Sequence, residues 1–180
     1  MNTFVRLSNA GYYADFVFYP LLLLLLAGAA MGRDTPAGWF VWLLLFVAGV
    51  AIWTLLEYWL HRVIFHHAMP IRQLHELHHV SPTAKIGTPT WVTASLICGG
   101  MLLPLWWKDG FNLASGLTSG LAAGYLWYAT VHHAVHHWRT RPNSYLHRAK
   151  QRHAKHHHAE YPCHFGVTTA WWDRIFGTVR

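Results

Sequence analysis

Residues 39–67 read WFVWLLLFVAGVAIWTLLEYWLHRVIFHH and join a continuous apolar run to the first histidines of the chain. A helix needs roughly 20 apolar residues to cross a bilayer, and the segment 39–60 reaches that length. The run ends at His61, and His66 follows in the next turn. The stretch therefore predicts a membrane helix that carries candidate metal ligands at one end.

The histidines are concentrated in four short segments of the chain. Sixteen histidines occur in 180 residues. Positions i, i+3 and i+4 of a helix share a face, so the spacings HxxHH and HxxxH bring imidazoles together. Imidazole nitrogen is a ligand for zinc, copper, iron and nickel. Ten such ligands are too many for one ion and suit two ions held together. The ten candidate ligands are His61, His66, His75, His78, His79, His132, His136, His153, His156 and His157.

The first pair of histidines presents a geometric problem. Residues five apart on an α-helix point about 140° away from each other, so His61 and His66 cannot face the same way without distortion. Either they approach the metals from different sides, or the helix ends between them. The other six histidines are predicted to support the ligands or to lie on the surface. These six are His67, His133, His137, His147, His158 and His164.

The composition indicates an integral membrane protein with one domain, residues 1–180. The chain is 53% hydrophobic and 12% charged, whereas charged residues make up about 25% of an average soluble protein. The net charge of +7 points to a membrane surface, because the basic residues flank apolar segments; no nucleic-acid partner is expected. Cys98 and Cys163 form neither a CxxC motif nor a disulfide framework.

Four apolar segments predict an all-α fold with four transmembrane helices and a cytoplasmic, histidine-rich helical cap. The third segment is the weakest, because Pro104 interrupts it, and the first two or the last two segments could instead form re-entrant hairpins. The four segments are 16–31, 39–60, 91–107 and 111–131.

Four crossings put both termini and all the histidine segments on one side of the membrane. Of 14 basic residues, only Arg33 and Lys108 fall on the other side, so the positive-inside rule makes the histidine side cytoplasmic. Two cap helices are expected there: one begins at Pro70 and ends at Ser81-Pro82, and the other follows Pro142 with Asn143 or Ser144 as its cap.

Three further side chains are candidates for the surroundings of the metals. Glu57 lies one turn before His61, where a carboxylate that accepts a hydrogen bond from a ligand imidazole would orient it. Asp173 is a weaker candidate for the same role. Tyr128 lies one turn before His132 and is expected to contribute more to packing than to chemistry.

The ligand type favours oxygen chemistry. A structural zinc site needs only four ligands and usually includes cysteine. Many neutral imidazoles around two ions fit a di-iron centre that activates O2, and at the membrane face such a centre can receive a lipid chain from the bilayer. The alternative from another class is a metal carrier, but transport favours polar ligands near the bilayer centre. Zinc in a purified sample would not exclude iron in the cell, because zinc binds nitrogen sites more tightly than Fe²⁺ does.

Five segments together resemble the fatty acid hydroxylase/sterol desaturase superfamily and are most similar to its fatty acid 2-hydroxylase group. They are EYWLHRVIFH (57–66), HELHHVSP (75–82), HHAVHH (132–137), HAKHHH (153–158) and FGVTTAWWDRIFGT (165–178). The resemblance covers about residues 50–178. Two departures are Ala129, where the group often has an acid, and His133, where an aromatic residue is usual.

The resemblance implies a four-helix membrane base with a cytosolic cap, two irons bound by the ten histidines, and hydroxylation of an acyl chain next to its carbonyl. It also implies that Lys85 lies near the substrate entrance. The chain has no room for the haem domain fused to some members, so electrons are expected from a separate ferredoxin-like or cytochrome-type donor and its reductase. The alternative within the superfamily is a carotenoid or sterol-like hydroxylase.

Overall fold

The computed structural model describes residues 6–32 and 36–180, and all the regular structure in them is helical. Nine α-helices and two π-helices follow one another along these residues. The helices are α1 (Asn9–Tyr13), α2 (Asp15–Met31), α3 (Pro36–Trp59), a first π-helix (Leu60–Phe65), α4 (Ile71–Val80), α5 (Thr90–Ala94), a second π-helix (Ser95–Leu102), α6 (Leu103–Asp109), α7 (Phe111–His137), α8 (Tyr145–His158) and α9 (Trp171–Ile175).

The chain divides into two compact units. The histidine unit comprises Arg6 and residues 54–87 and 127–180. The apolar unit comprises the described residues 7–32, 36–53 and 88–126. All ten candidate metal ligands belong to the histidine unit.

Three helices among the described residues are long and apolar enough to cross a membrane: Asn9–Met31, Gly38–Phe65 and Thr90–Asp109. The first begins at Asn9 rather than at residue 16, so it is longer than predicted. In the third, Pro104 does not interrupt the helix, which continues to Asp109 after the second π-helix. The sequence also predicts a turn from Arg33 to Gly38; residues 33–35 lie outside the described residues, whereas Pro36 already begins α3, so that part of the prediction is wrong.

The fourth predicted span, 111–131, is part of α7 but is not among the three apolar helices. Its glycine, serine and threonine residues lower its hydropathy, and many of them are buried, including Ser115, Thr118 and Ser119. In contrast, side chains such as Leu24 on α2 are largely exposed, as expected of a surface that faces lipid. A membrane crossing by α7 therefore stays a prediction.

Glycines let α3 and α7 approach each other closely within the apolar unit. A Cβ atom on Gly120 would overlap the backbone carbonyl of Phe46, and one on Gly49 would overlap the carbonyl of Leu117. Small residues at such crossings allow backbones to pack directly against each other. The glycines of α7 therefore permit its close packing against α3.

A buried acid is paired in the same unit. The Tyr125 hydroxyl donates a hydrogen bond of 2.5 Å to Oδ2 of Asp15, and the Tyr125 ring packs edge-on against Tyr19. An acid in an apolar bundle is costly unless it has such a partner. The pair ties α2 to α7.

The cap helices of the histidine unit follow the sequence signals. Helix α4 begins directly after Pro70 and ends before Ser81. Helix α8 begins after Ser144, whose side chain accepts a hydrogen bond from the backbone nitrogen of His147. Its Ala149 packs in a buried cluster with Val131, Val135 and Val167. These contacts hold the histidine face of α8 against α7.

Candidate metal centre

The structure brings nine of the ten candidate ligands into two groups. Within each group, one ligand atom from every histidine lies within 4.8 Å of the others, so each group could hold a metal ion. The five-histidine group is His61, His66, His75, His79 and His156. The four-histidine group is His78, His132, His136 and His153.

The tenth candidate, His157, lies beside both groups. Its Nε2 atom is 3.0 Å from Nε2 of His153 in the four-histidine group. Its ring stacks on His79 of the five-histidine group, with the ring centres 4.2 Å apart. His157 thus contacts both groups.

The first π-helix resolves the problem posed by His61 and His66. Hydrogen bonds in a π-helix join residues five apart, so its wide turn brings such residues toward the same face. The π-helix covers Leu60–Phe65, and the rings of His61 and His66 lie 5.4 Å apart in the same group. The expected distortion is present, and the two residues do not approach from different sides.

Helices α4 and α8 each supply both groups. On α4, His75 and His79 are four residues apart and join the five-histidine group, whereas His78 joins the four-histidine group. Adjacent residues on a helix point about 100° apart, which separates His78 from His79. The HxxHH spacing therefore bridges two neighbouring groups instead of serving one, and His153 and His156 on α8 are divided in the same way.

The ring nitrogens face one another too closely and too often for hydrogen bonding alone. Nε2 of His75 lies 3.1 Å from Nε2 of His61, 3.2 Å from that of His66 and 3.0 Å from that of His79. A neutral imidazole nitrogen carries either one proton or one lone pair, so it cannot satisfy three such partners. A cation at the centre of the lone pairs would satisfy them all, and the donor set fits a transition-metal ion.

Two backbone carbonyls determine which nitrogen of two ligands carries the proton. Nδ1 of His61 lies 2.6 Å from the carbonyl oxygen of Phe165, and Nδ1 of His156 lies 2.7 Å from that of Cys163. A carbonyl only accepts, so each Nδ1 must donate, and each Nε2 keeps its lone pair for the group. Such contacts orient metal-binding histidines and increase their basicity.

Burial keeps the imidazoles neutral. Desolvation, followed by repulsion from neighbouring imidazoles, lowers the pKa of His66 and of His78 to about 4. Desolvation likewise lowers the pKa of His156 and of His157 to about 3, although the hydrogen bond that His156 donates to the Cys163 carbonyl opposes the shift at His156. The neutral form is the one that binds metal, so the ligands are available at neutral pH without losing a proton.

The two candidate carboxylates hold the chain tail and do not contact the imidazoles through hydrogen bonds. Glu57 accepts hydrogen bonds from the backbone nitrogens of Val167 and Thr168, each 2.8 Å long, and from the Thr168 hydroxyl at 2.7 Å. The prediction that Glu57 bonds directly to a ligand imidazole is therefore wrong. Asp173 is fully buried and accepts from the backbone nitrogens of Phe165 and Gly166.

The remaining predicted site residues differ in their relation to the groups. The Tyr128 ring lies parallel to that of His132, with the centres 5.6 Å apart, and packs against the buried cluster of Val131 and Val135. Lys85 is half-buried in the loop between α4 and α5. Its predicted place at a substrate entrance stays a prediction.

Five of the six histidines outside the ligand set are exposed or half-buried, whereas His164 is buried. His164 Nε2 lies 2.6 Å from the carbonyl oxygen of Arg180. Its neighbours Cys163 and Phe165 supply the carbonyls described above. The sequence reasoning missed these carbonyls because backbone oxygens have no residue signature. The one available signal was Gly166, since a Cβ there would overlap the carbonyl of Thr169.

Comparison with known proteins agrees with this site. The chain is 34% identical over 153 residues to the ceramide very long chain fatty acid hydroxylase SCS7 of Saccharomyces cerevisiae, with 74% of this chain and 37% of that protein covered. It is 33% identical to the dihydroceramide fatty acyl 2-hydroxylase FAH2 of Arabidopsis thaliana, covering 73% of this chain and 58% of the relative. It is 31% identical to the human fatty acid 2-hydroxylase, with 75% of this chain and 39% of that protein covered. The chain thus spans less than two thirds of these relatives.

A solved structure and a family profile extend the match. The structure described as full-length scs7p, with only the hydroxylase domain visible, superimposes with a TM-score of 0.81 at 26% identity. That match covers 98% of this chain and 68% of the other. The profile of the fatty acid hydroxylase family matches residues 46–178, which include every histidine of the two groups. The chain belongs to the fatty acid hydroxylase family.

Proposed function

We propose that the protein is a membrane monooxygenase that hydroxylates an unactivated C–H bond of a lipid acyl chain, at C2, using O2. The observation that carries the proposal is the pair of adjacent histidine groups, each with converging ring nitrogens. The names of the yeast, plant and human relatives describe acyl hydroxylation, and two of the three specify position 2. We therefore expect a free or amide-linked fatty acid as the substrate.

Two iron ions would be held by the ten histidines. When bound, the iron pair would supply the electrons and the reactivity needed to cleave O2 and oxidise a methylene group. The protein's own part is to keep the imidazoles neutral, to fix their Nε2 atoms toward the ions, and to exclude water. Two electrons per turnover would come from a separate donor protein and its reductase.

Membrane placement supports a lipid substrate. His61 lies in the last turn of the apolar helix Gly38–Phe65, so a ligand follows directly on a surface that suits acyl chains. We infer that α7 supplies the fourth crossing and that the histidine unit with both termini is cytoplasmic. The basic residues favour this orientation, because Lys108 is the only lysine or arginine among the described residues of the apolar unit.

Lipid analysis tests the proposal. Cells with and without the gene are compared by mass spectrometry under ¹⁸O2, and we expect 2-hydroxylated acyl chains that contain ¹⁸O only in the cells with the gene. The His156→Ala variant should abolish this product, and the exposed His67→Ala variant should retain it. Unchanged hydroxylated lipids, with the protein present in the membrane, would refute the proposal.

The same samples separate the alternatives. A change confined to carotenoids or sterols would indicate another substrate within the oxygenase class. Metal flux into vesicles without O2 consumption would indicate a carrier.

A further inference from the structure

The segment 163–168, here called the carbonyl segment, contacts the five-histidine group through two backbone carbonyls and through the Phe165 ring, which packs against His61 and His156. The Phe165 carbonyl accepts from His61, and the Cys163 carbonyl accepts from His156. The carbonyl segment is far in sequence from His61, so its position is not set by local structure. Something else must hold these two oxygens in place.

Two buried carboxylates hold the carbonyl segment. Asp173 uses Oδ1 for the backbone nitrogen of Phe165 at 2.8 Å and Oδ2 for that of Gly166 at 2.9 Å. Glu57 accepts from the next two backbone nitrogens, those of Val167 and Thr168. Four successive N–H groups are therefore bound to two carboxylates, and the backbone has little freedom to move.

Both carboxylates that hold the carbonyl segment are buried. Asp173 is 0% exposed and Glu57 is 3% exposed, so water does not compete for these hydrogen bonds. A third donor to Asp173 is the hydroxyl of Thr178, at 2.7 Å. Gly166 leaves no space for a side chain, since a Cβ would lie 2.9 Å from Oδ2 of Asp173.

Two ligands of the four-histidine group lack such support among the described residues. Nδ1 of His78 and Nδ1 of His153 are buried and have no hydrogen-bond partner there. Both residues are as buried as the supported ligands, with 6% and 3% exposure. The two groups thus differ in what orients their imidazoles.

We propose that Asp173 and Glu57 are positioning residues that, through the carbonyl segment, make the five-histidine group the tighter of the two metal positions. The inference rests on the proposed function, because it requires that both groups bind metal. Loss of a partner that orients a ligand typically weakens metal binding by about 10–100-fold. The weaker binding should therefore appear at the five-histidine group and not at the four-histidine group.

The experiment measures Zn²⁺ affinity by chelator competition in two backgrounds of the purified, full-length protein. His132→Ala with His136→Ala leaves the five-histidine group, and His75→Ala with His79→Ala leaves the four-histidine group. Asp173→Asn is then added to each, because an amide nitrogen would face a backbone N–H where Asp173 now accepts. Glu160→Gln is the matched control, since it makes the same chemical change at an exposed position.

We expect Asp173→Asn to weaken Zn²⁺ binding by about 10–100-fold in the background that retains the five-histidine group. Zn²⁺ binding in the background that retains the four-histidine group should stay unchanged. Equal weakening in both backgrounds would mean a general structural role and would overturn the inference. No weakening in either would also overturn it. If Asp173→Asn does not fold, Thr168→Val takes its place, because it removes a single hydrogen bond to Glu57. It must then weaken Zn²⁺ binding only in the background that retains the five-histidine group.

The unsubstituted protein separates this inference from the proposed function. If it binds no metal, the proposed function fails and the inference fails with it. If it binds two ions of equal affinity, the proposed function stands and the inference is wrong.

Discussion

The glycine contact between α3 and α7 offers a direct test of the apolar unit. Gly120→Ala would place a Cβ 2.9 Å from the Cα of Gly49 and in overlap with the Phe46 carbonyl. The matched control is Gly28→Ala on α2, where nothing lies within 4 Å of the added Cβ. Both changes gain about 1 kcal/mol of helix propensity, so that gain cancels when the two variants are compared.

The expected difference follows from the overlap. Forcing a methyl group into a packed site costs about 1–3 kcal/mol, and we expect the upper end because the overlapping atoms are backbone and cannot rotate away. A difference of about 3 kcal/mol between the variants corresponds to roughly 6–12 °C in Tm for a chain of this size. Thermal unfolding of the two variants in the same detergent measures it.

A second substitution checks that the loss comes from this crossing. Once Gly120→Ala has separated the helices, Gly49→Ala should cost less than it does alone, because the two positions share one contact. Equal Tm values for Gly120→Ala and Gly28→Ala would refute the close packing of α3 and α7. Strict additivity of the Gly49 and Gly120 substitutions would refute a shared contact.

Three further perturbations test other parts of the structure. Ser144→Ala removes the side-chain cap of α8 and should lower stability by about 1 kcal/mol, seen as a lower Tm, whereas Ser144→Asp should retain it. Tyr125→Phe leaves the buried Asp15 without its donor and should cost about 1–3 kcal/mol; an unchanged Tm would contradict the pairing. The metal-free protein should lose stability as pH falls from 6.5 toward 4. The folded-state pKa values of His66 and His78 are depressed, so the unfolded chain takes up protons first over that range. A Tm that stays constant over that range in chelator-treated protein would contradict this expectation.

Local patterns predicted much of the candidate site. The i, i+3 and i+4 spacings identified seven of the nine histidines that the fold brings into two groups, because those residues are adjacent on single helices. The cap at Ser144 was predicted for the same reason, since a helix start depends on residues within one turn. The i+5 spacing of His61 and His66 indicated a conflict with a regular α-helix, but the two expected solutions, approach from different sides or a helix end between them, were both wrong.

Other features depend on contacts that no local pattern contains. Glu57 lies beside His61 in the sequence, yet its hydrogen-bond partner Thr168 is 111 residues away. Its proximity to His61 in the sequence suggested that Glu57 bonds to an imidazole, whereas in the folded protein Glu57 accepts from backbone N–H groups. The burial of His164 was missed for the same reason, because it depends on Arg180 and on the carbonyl segment.

The sequence by itself determined that the protein is helical, that apolar helices lead into histidine segments, and which histidines are candidate ligands. These properties follow from composition and helical periodicity, which act over a few residues. Only the tertiary structure decided that the ligands divide between two groups, that a π-turn aligns His61 with His66, and that Asp173 and Glu57 act on the carbonyl segment. These properties follow from where separate helices and the tail meet, and that depends on packing across the whole histidine unit.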